Sequence, residues 1–172
     1  MAPRYKVTVC GFGLIGGSIA LDLLALRPRP IIHAFDQSRV LLAVGKDARF
    51  PVQTERDWHR AVDGCDILIL SAPPKANRAL LALAGKNKSL RNCLIIDVGS
   101  AKSSICTLGK KLSFAEGTQF VGCHPMAGTE KSGFQNAEKG MFRGNPWFVD
   151  SGIRLTKTNK AKLIWLASAL RA

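Results

Sequence analysis

Three glycines near the amino terminus have the spacing of a loop that binds the pyrophosphate of a dinucleotide. They form G-x-G-x-x-G, directly after an apolar run and directly before apolar residues at helical spacing. The first glycine of such a turn permits a tight bend, the second lets the pyrophosphate approach the backbone, and the third lets helix pack on strand. Free N–H groups at the start of the helix favour the phosphates. The predicted cofactor contacts are Gly11, Phe12, Gly13, Leu14, Ile15 and Gly16.

An acidic residue at the end of the next apolar run indicates which dinucleotide is bound. Asp36 stands twenty positions after Gly16. A carboxylate there accepts hydrogen bonds from both ribose hydroxyls of NAD and repels the 2′-phosphate of NADP. Asp36 could instead cap a helix that starts near Ser38, and Arg39 could hold a phosphate. We expect Asp36 to bind the cofactor and NAD to be preferred over NADP.

A serine and a histidine are the candidate catalytic side chains. Ser100 and His124 each follow an apolar run that reads as a strand, and parallel α/β sheets bind ligands at the carboxyl ends of their strands. Histidine accepts a hydroxyl proton near neutral pH, and a neighbouring serine orients the ring or the substrate hydroxyl. His33, inside a predicted strand, and His59, in a polar helix, are interpreted as structural.

The elements that must position these residues alternate between strands and helices. Strands are predicted at 7–9, 31–35, 66–71, 93–97, 120–123 and 146–149, and helices at 15–26, 40–44, 57–62, 76–84, 103–112 and 161–170. This alternation predicts an α/β fold with a doubly wound, mostly parallel sheet, a Rossmann-type NAD-binding domain spanning 1–172. The run 66–71 is apolar almost throughout, as a strand buried on both faces should be. Ser71, Ala72 and Pro73 lie at its carboxyl end and are further predicted cofactor contacts.

Composition favours one globular domain. The chain has 172 residues and a formal net charge of +13, which attracts anionic ligands, including NAD. The basic residues are scattered and no nucleic-acid motif is present, so no specific nucleic-acid partner is expected. No apolar run approaches the length of a membrane span and no signal peptide is recognised, which predicts a cytoplasmic protein without membrane contact. The five cysteines form no C-x-x-C and are interpreted as reduced and buried.

Three segments together resemble the prephenate/arogenate dehydrogenase family of tyrosine biosynthesis. They are GFGLIGGS at 11–18, DVGSAK at 97–102 and HPMAGTEKSG at 124–133. The last is far more specific than the glycine motif, and the resemblance covers essentially the whole chain. It implies oxidative decarboxylation, in which prephenate and NAD give 4-hydroxyphenylpyruvate, carbon dioxide and NADH.

The resemblance also implies roles for single residues. The family's histidine matching His124 hydrogen-bonds the ring hydroxyl of the substrate and draws off its proton. The serine matching Ser100 contacts the same hydroxyl and positions the histidine. Thr129 and Glu130 match loop positions near the substrate. Lys102 either stabilises its loop or holds an anion, a choice that the sequence leaves open.

Members of the family continue into a helical domain that forms the dimer and supplies an arginine for a substrate carboxylate. From the resemblance we expect 1–172 to hold the nucleotide-binding domain only, and we expect a homodimer or a complementing C-terminal domain as its partner. The alternatives are an arogenate dehydrogenase, a β-hydroxyacid dehydrogenase, and a truncated NAD-binding module without turnover. A nucleic-acid binder is supported by charge alone and predicts binding that falls steeply with salt.

Overall fold

Seven strands form one sheet in the order β3-β2-β1-β4-β5-β6-β7. The structure is a computed structural model that describes residues 4–127 and 130–172. The strands are β1 Lys6–Cys10, β2 Ile31–Phe35, β3 Gln53–Glu55, β4 Ile67–Leu70, β5 Leu94–Asp97, β6 Gln119–Pro125 and β7 Trp147–Val149. Each neighbouring pair is parallel except β6 and β7, which are antiparallel. This is the strand order of a Rossmann-type dinucleotide-binding domain, with β7 added at one edge.

Six helices cover the two faces of the sheet. They are α1 Leu14–Leu24, α2 Ser38–Val44, α3 Trp58–Val62, α4 Pro74–Lys86, α5 Ser103–Lys111 and α6 Lys157–Leu170, with a short 3₁₀ helix at Phe134–Asn136. Strand β4 shows why its sequence is continuously apolar. Ile67 and Ile69 pack in the cluster that contains residues of α1 and α6, whereas Leu68 and Leu70 pack with α4 and α5. All four are fully buried, because helices shield both faces of a parallel sheet.

Most predicted elements are confirmed. Strands β1, β2, β4 and β5 and helices α1, α4 and α5 lie within one to three residues of their predicted bounds. Asp57 caps α3 by accepting a hydrogen bond from the Arg60 amide at 2.9 Å. All five cysteines are buried free thiols, as expected. No helix among the described residues is both long and apolar enough to cross a membrane.

Three elements differ from the sequence-based prediction. Helix α6 was predicted to begin at Ala161 but begins at Lys157, where Thr156 caps it by accepting a hydrogen bond from the Asn159 amide at 3.3 Å. Tertiary contacts explain the other two. Strand β3 was not predicted because its residues are polar and largely exposed, and it forms by pairing His33 of β2 with Gln53. Strand β6 was predicted to end at Cys123 but continues to Pro125. Pairing with β7 extends it, since His124 lies opposite Phe148. His124 is therefore part of the strand, not of the following loop.

Candidate functional site

The glycine turn between β1 and α1 is built so that two of its glycines are required by packing. Gly11 has φ +90°, and a Cβ on it would lie 2.2 Å from the Ala72 amide nitrogen. A Cβ on Gly16 would lie 2.2 Å from the Gly11 carbonyl oxygen. Gly13 differs, because a Cβ there would meet no described atom within 4 Å. Gly13 therefore borders open space, where a pyrophosphate can approach the backbone.

Asp36 is held against this turn. Its Oδ2 accepts a hydrogen bond from the Phe12 amide at 2.6 Å, and its Oδ1 accepts one from the Gln37 amide at 2.6 Å. The residue at the helix-capping position of α2 is Gln37, and its side chain makes no capping hydrogen bond. The structure thus directs Asp36 toward the glycine turn and leaves each carboxylate oxygen a lone pair for a further donor.

A cavity of about 290 Å³ lies beside Asp36 and the glycine turn. Its lining comprises Phe12, Gly13, Asp36, Arg39, Val40, Ala43, Gly133, Phe134 and Gln135. Sequence reasoning missed the wall formed by 133–135, which begins at the last residue of the motif that carries the family resemblance. The segment that follows this wall is attached to α1, because the Glu138 amide donates to Ser18 Oγ at 3.0 Å. A Cβ on Gly17 would lie 2.8 Å from the Ala137 Cβ, so the second glycine of the pair at 16–17 was the available signal.

The carboxyl end of β4 lies against the same turn. Ser71 Oγ donates to the Gly11 carbonyl oxygen at 2.9 Å. The Ala72 amide donates to Asn77 Oδ1 at 2.9 Å, and exposed Pro73 precedes α4. The predicted cofactor residues therefore converge on one edge of the sheet. Their binding role stays a prediction.

Ser100 and His124 lie at the same edge, on the neighbouring strands β5 and β6. Asp97, the last residue of β5, pairs with Gly122, two residues before His124. Ser100 is exposed on the loop that follows β5. No hydrogen bond joins Ser100 and His124 within the described ranges, and the buried Nδ1 of His124 has no partner there. Topology brings the two residues to the same end of the sheet without a hydrogen bond between them in the described part of the chain.

His124 borders a second cavity, of about 420 Å³, between α5 and the strands β6 and β7. Its lining comprises Lys102, Ser103, Cys106, Thr107, Lys110, Gly122, Cys123, His124, Phe148, Val149 and Asp150. Burial raises the pKa of the Cys123 thiol to about 12 and also raises the pKa of Cys106. Both thiols therefore remain protonated near neutral pH and are poor nucleophiles. Asp150 also lines this cavity, and the hydrogen bond from the Gly152 amide lowers the pKa of its carboxyl group, which makes it a weak base. Histidine is the residue type suited to accepting a proton near neutral pH, which favours His124.

The structure gives different results for the remaining predicted residues, Lys102, Glu130 and Thr129. Lys102 Nζ forms an ion pair with Asp97 Oδ2, which favours the loop-stabilising alternative over a free anion site. Glu130 is exposed, with no contact to His124 given by the structure. Thr129 lies outside the described residues.

Comparison with known proteins agrees with the fold. The sequence profile of the family described as "Prephenate dehydrogenase, nucleotide-binding domain" matches residues 19–171. That match begins after the first five residues of α1, so the assignment of the glycine turn rests on the contacts above.

Curated relatives include a prephenate dehydrogenase from Lactococcus lactis, 33% identical over 144 residues, covering 84% of this chain and 40% of the relative. A cyclohexadienyl dehydrogenase from Zymomonas mobilis is 28% identical over 141 residues, covering 81% of this chain and 47% of the relative. The chain thus spans less than half the length of these curated relatives.

A solved structure shows the same fold. Prephenate dehydrogenase from Aquifex aeolicus, in complex with hydroxyphenyl propionate and NAD+, superposes with a TM-score of 0.81 at 23% identity. The superposition covers 98% of this chain and 58% of that one.

Proposed function

This chain belongs to the prephenate dehydrogenase family, and from that premise we propose that it binds NAD and acts in the oxidative decarboxylation of prephenate to 4-hydroxyphenylpyruvate. One observation carries the proposal. His124 lies at the sheet edge that also holds the glycine turn and Asp36. A proton acceptor and a dinucleotide site on one edge are the two parts that this reaction needs.

The residues proposed to hold NAD lie in the amino-terminal part of the chain, in the glycine turn and at the end of β2. The backbone at Gly13 faces open space for the pyrophosphate. The Asp36 carboxylate accepts hydrogen bonds from the ribose hydroxyls of NAD, because the two hydrogen bonds that it already accepts leave lone pairs free. Asp36 repels a 2′-phosphate, which favours NAD over NADP, although Arg39 lines the same cavity. NAD, when bound, supplies the hydride acceptor.

His124 and Ser100 act on the substrate hydroxyl. The imidazole of His124 accepts the hydroxyl proton as the ring carbon is oxidised. Ser100, exposed on the loop after β5, donates a hydrogen bond that orients the same hydroxyl. Loss of carbon dioxide is driven by aromatisation of the ring, so these residues supply position and a proton acceptor.

We assign 1–172 as one dinucleotide-binding unit that supplies both of these groups. The substrate carboxylate and dimerisation are assigned to a further helical domain, supplied by the same protein or by a complementing chain. This is supported by relatives of which the chain covers 40% and 47%. The cytoplasmic location stays a prediction.

The test is NADH formation at 340 nm with prephenate and, separately, with arogenate, beside a calorimetric titration of NAD. Turnover with prephenate supports the proposal, and turnover with arogenate alone would replace its substrate. NAD binding without turnover would leave a nucleotide-binding module that needs a complementing domain. Absence of NAD binding would contradict the proposal altogether.

A further inference from the structure

A buried amide joins the carboxyl ends of β4 and β5. Asn77, near the start of α4, is 1% exposed. Its Oδ1 accepts a hydrogen bond from the Ala72 amide at 2.9 Å, and its Nδ2 donates to the Leu70 carbonyl oxygen at 3.1 Å. The same Nδ2 donates to Asp97 Oδ1 at 2.8 Å. One side chain thus holds the β4 end against the last residue of β5.

A second set of contacts joins Asp97 to the loop that contains Ser100. Asp97 is 2% exposed, and its Oδ2 pairs with Lys102 Nζ at the start of α5. Lys102 Nζ also donates to the Asp97 carbonyl oxygen at 3.2 Å. A Cβ on Gly99 would lie 3.5 Å from Asp97 Oδ1. The loop from 98 to 101 is therefore folded around the Asp97 carboxylate and closed by the ion pair.

The ion pair is buried on the Asp97 side and partly exposed on the Lys102 side. Such a pair is a weak source of stability, because desolvation offsets its Coulombic attraction, but it fixes the geometry of the groups that it joins. The Asp97–Lys102 ion pair and the Asn77 side-chain amide lie between two loops that have different proposed roles. One loop contains Ala72, a predicted cofactor contact, and the other contains Ser100, the proposed contact to the substrate hydroxyl. Lys102 also lines the cavity of His124.

We infer that Asn77, Asp97 and Lys102 are positioning residues that set the cofactor-contacting end of β4 and the Ser100 loop relative to each other. The effect of these residues on the reaction rests on the proposed function. The coupling of the two loops by one hydrogen-bonded network does not depend on it.

Hydrogen exchange tests the coupling without any activity. Asn77→Leu should speed exchange in both segments, 70–73 and 97–102, whereas Lys102→Met should speed it in 97–102 alone. The matched control is Asn159→Leu, since Asn159 is also 1% exposed but bonds the Gly117 carbonyl oxygen and Gln119 at the opposite end of β6. Faster exchange in a single segment of the Asn77→Leu protein would overturn the coupling.

Steady-state kinetics test the positioning role. Lys102→Met should lower kcat by about tenfold to hundredfold, because small displacements of reacting groups have effects of that size. The dissociation constant for NAD should stay within about twofold, since Lys102 is not among the proposed cofactor contacts. Lys102→Arg, which keeps the pair with Asp97, should recover most of the rate. Lys111→Met, at the exposed end of the same helix, is the charge-matched control and should leave kcat unchanged.

Asp97→Asn is a second, milder variant, because it keeps the shape and the acceptor for Asn77. It should lower kcat as Lys102→Met does. Equal rate losses in these variants and in Asn159→Leu, in proportion to lost stability, would overturn the positioning role. An unmodified protein that does not bind NAD would instead overturn the proposed function, and the exchange data would still decide whether the loops are coupled.

Discussion

The two ends of the candidate site differ in how completely their polar groups are satisfied. Around the glycine turn, both Asp36 carboxylate oxygens have amide donors and Ser71 Oγ has a carbonyl acceptor. Around His124, the buried Nδ1 has no partner within the described part of the chain, and Ser100 is exposed. The polar groups around the glycine turn are therefore paired within the protein. The proposed catalytic end instead holds one buried ring nitrogen without a partner among the described residues and one exposed serine, of which only the serine is accessible to a ligand.

The two ends also differ in which segments of the chain form them. The cofactor end combines β1, its turn, α1 and β2, which are consecutive in the chain, with support from the end of β4. The catalytic end combines the loop after β5 with β6 and β7, and β7 is antiparallel. Substitutions at the two ends should therefore separate cofactor binding from turnover.

The largest effect is expected at the catalytic end. His124→Asn should lower turnover roughly 100-fold to 10,000-fold, the usual contribution of a general base. The dissociation constant for NAD should change by less than about twofold, because the glycine turn and Asp36 are untouched. The measurement is kcat with prephenate beside NAD calorimetry. His59→Asn, in the exposed part of α3, is the control, and a comparable loss there would contradict the separation.

Two glycine substitutions should distinguish an effect on folding stability from an effect on NAD binding at the proposed cofactor end. Gly16→Ala should lower the free energy of unfolding by about 3 kcal/mol, because its Cβ would lie 2.2 Å from the Gly11 carbonyl oxygen. Gly13→Ala should change the free energy of unfolding by less than about 1 kcal/mol, since its Cβ meets no described atom within 4 Å.

The same Gly13→Ala protein should bind NAD at least about tenfold more weakly, the loss expected when hydrogen bonds to a charged group are blocked. Urea unfolding and NAD calorimetry measure the two quantities. Tight NAD binding by Gly13→Ala would contradict the assignment of the open space to the pyrophosphate.

Asp36→Asn examines the choice of cofactor. Removing the charge should weaken NAD binding by about tenfold, because charge-assisted hydrogen bonds to the ribose are replaced by neutral ones. It should also strengthen NADP binding by relieving repulsion of the 2′-phosphate. Titration with both cofactors gives the ratio. Adding Arg39→Gln should reverse the gain in NADP binding, and an unchanged ratio in Asp36→Asn would show that Asp36 does not contact the ribose.

The smallest effect concerns pH and the strand before Asp36. Burial lowers the pKa of His33 in the folded protein, with a further lowering by Lys6. The unfolded chain therefore binds the proton more tightly, and stability is lost as pH falls through the ordinary histidine pKa of about 6.5. The free energy of unfolding should fall between about pH 7.5 and about pH 5.5, and His33→Gln should reduce that fall. An equal pH dependence in His33→Gln would assign the effect to another group.

Local spacing in the sequence is enough to predict several parts of the protein. The glycine spacing predicts the turn, the acid at the end of β2 predicts a cofactor contact, and the continuous apolar run of β4 predicts a strand buried on both faces. The turn is the most local of these features, as the 2.2 Å approach of a Cβ on Gly16 to the Gly11 carbonyl oxygen illustrates. The contact of Asp36 with the Phe12 amide joins residues 24 positions apart, and the parallel pairing of β1 with β2 brings them together.

Features that join distant segments depend on the tertiary structure. Pairing with β7 extends β6 to Pro125 and places His124 within the strand. The segment after the wall at 133–135 is attached to α1 by the hydrogen bond from the Glu138 amide to Ser18 Oγ, across 120 positions of the chain. The sequence leaves Lys102 as an anion site or a loop support, and its ion pair with Asp97 favours the loop support. Residue types state which contacts are possible, but the path of the chain selects which of them form, because a long-range contact leaves no periodic signal in the sequence.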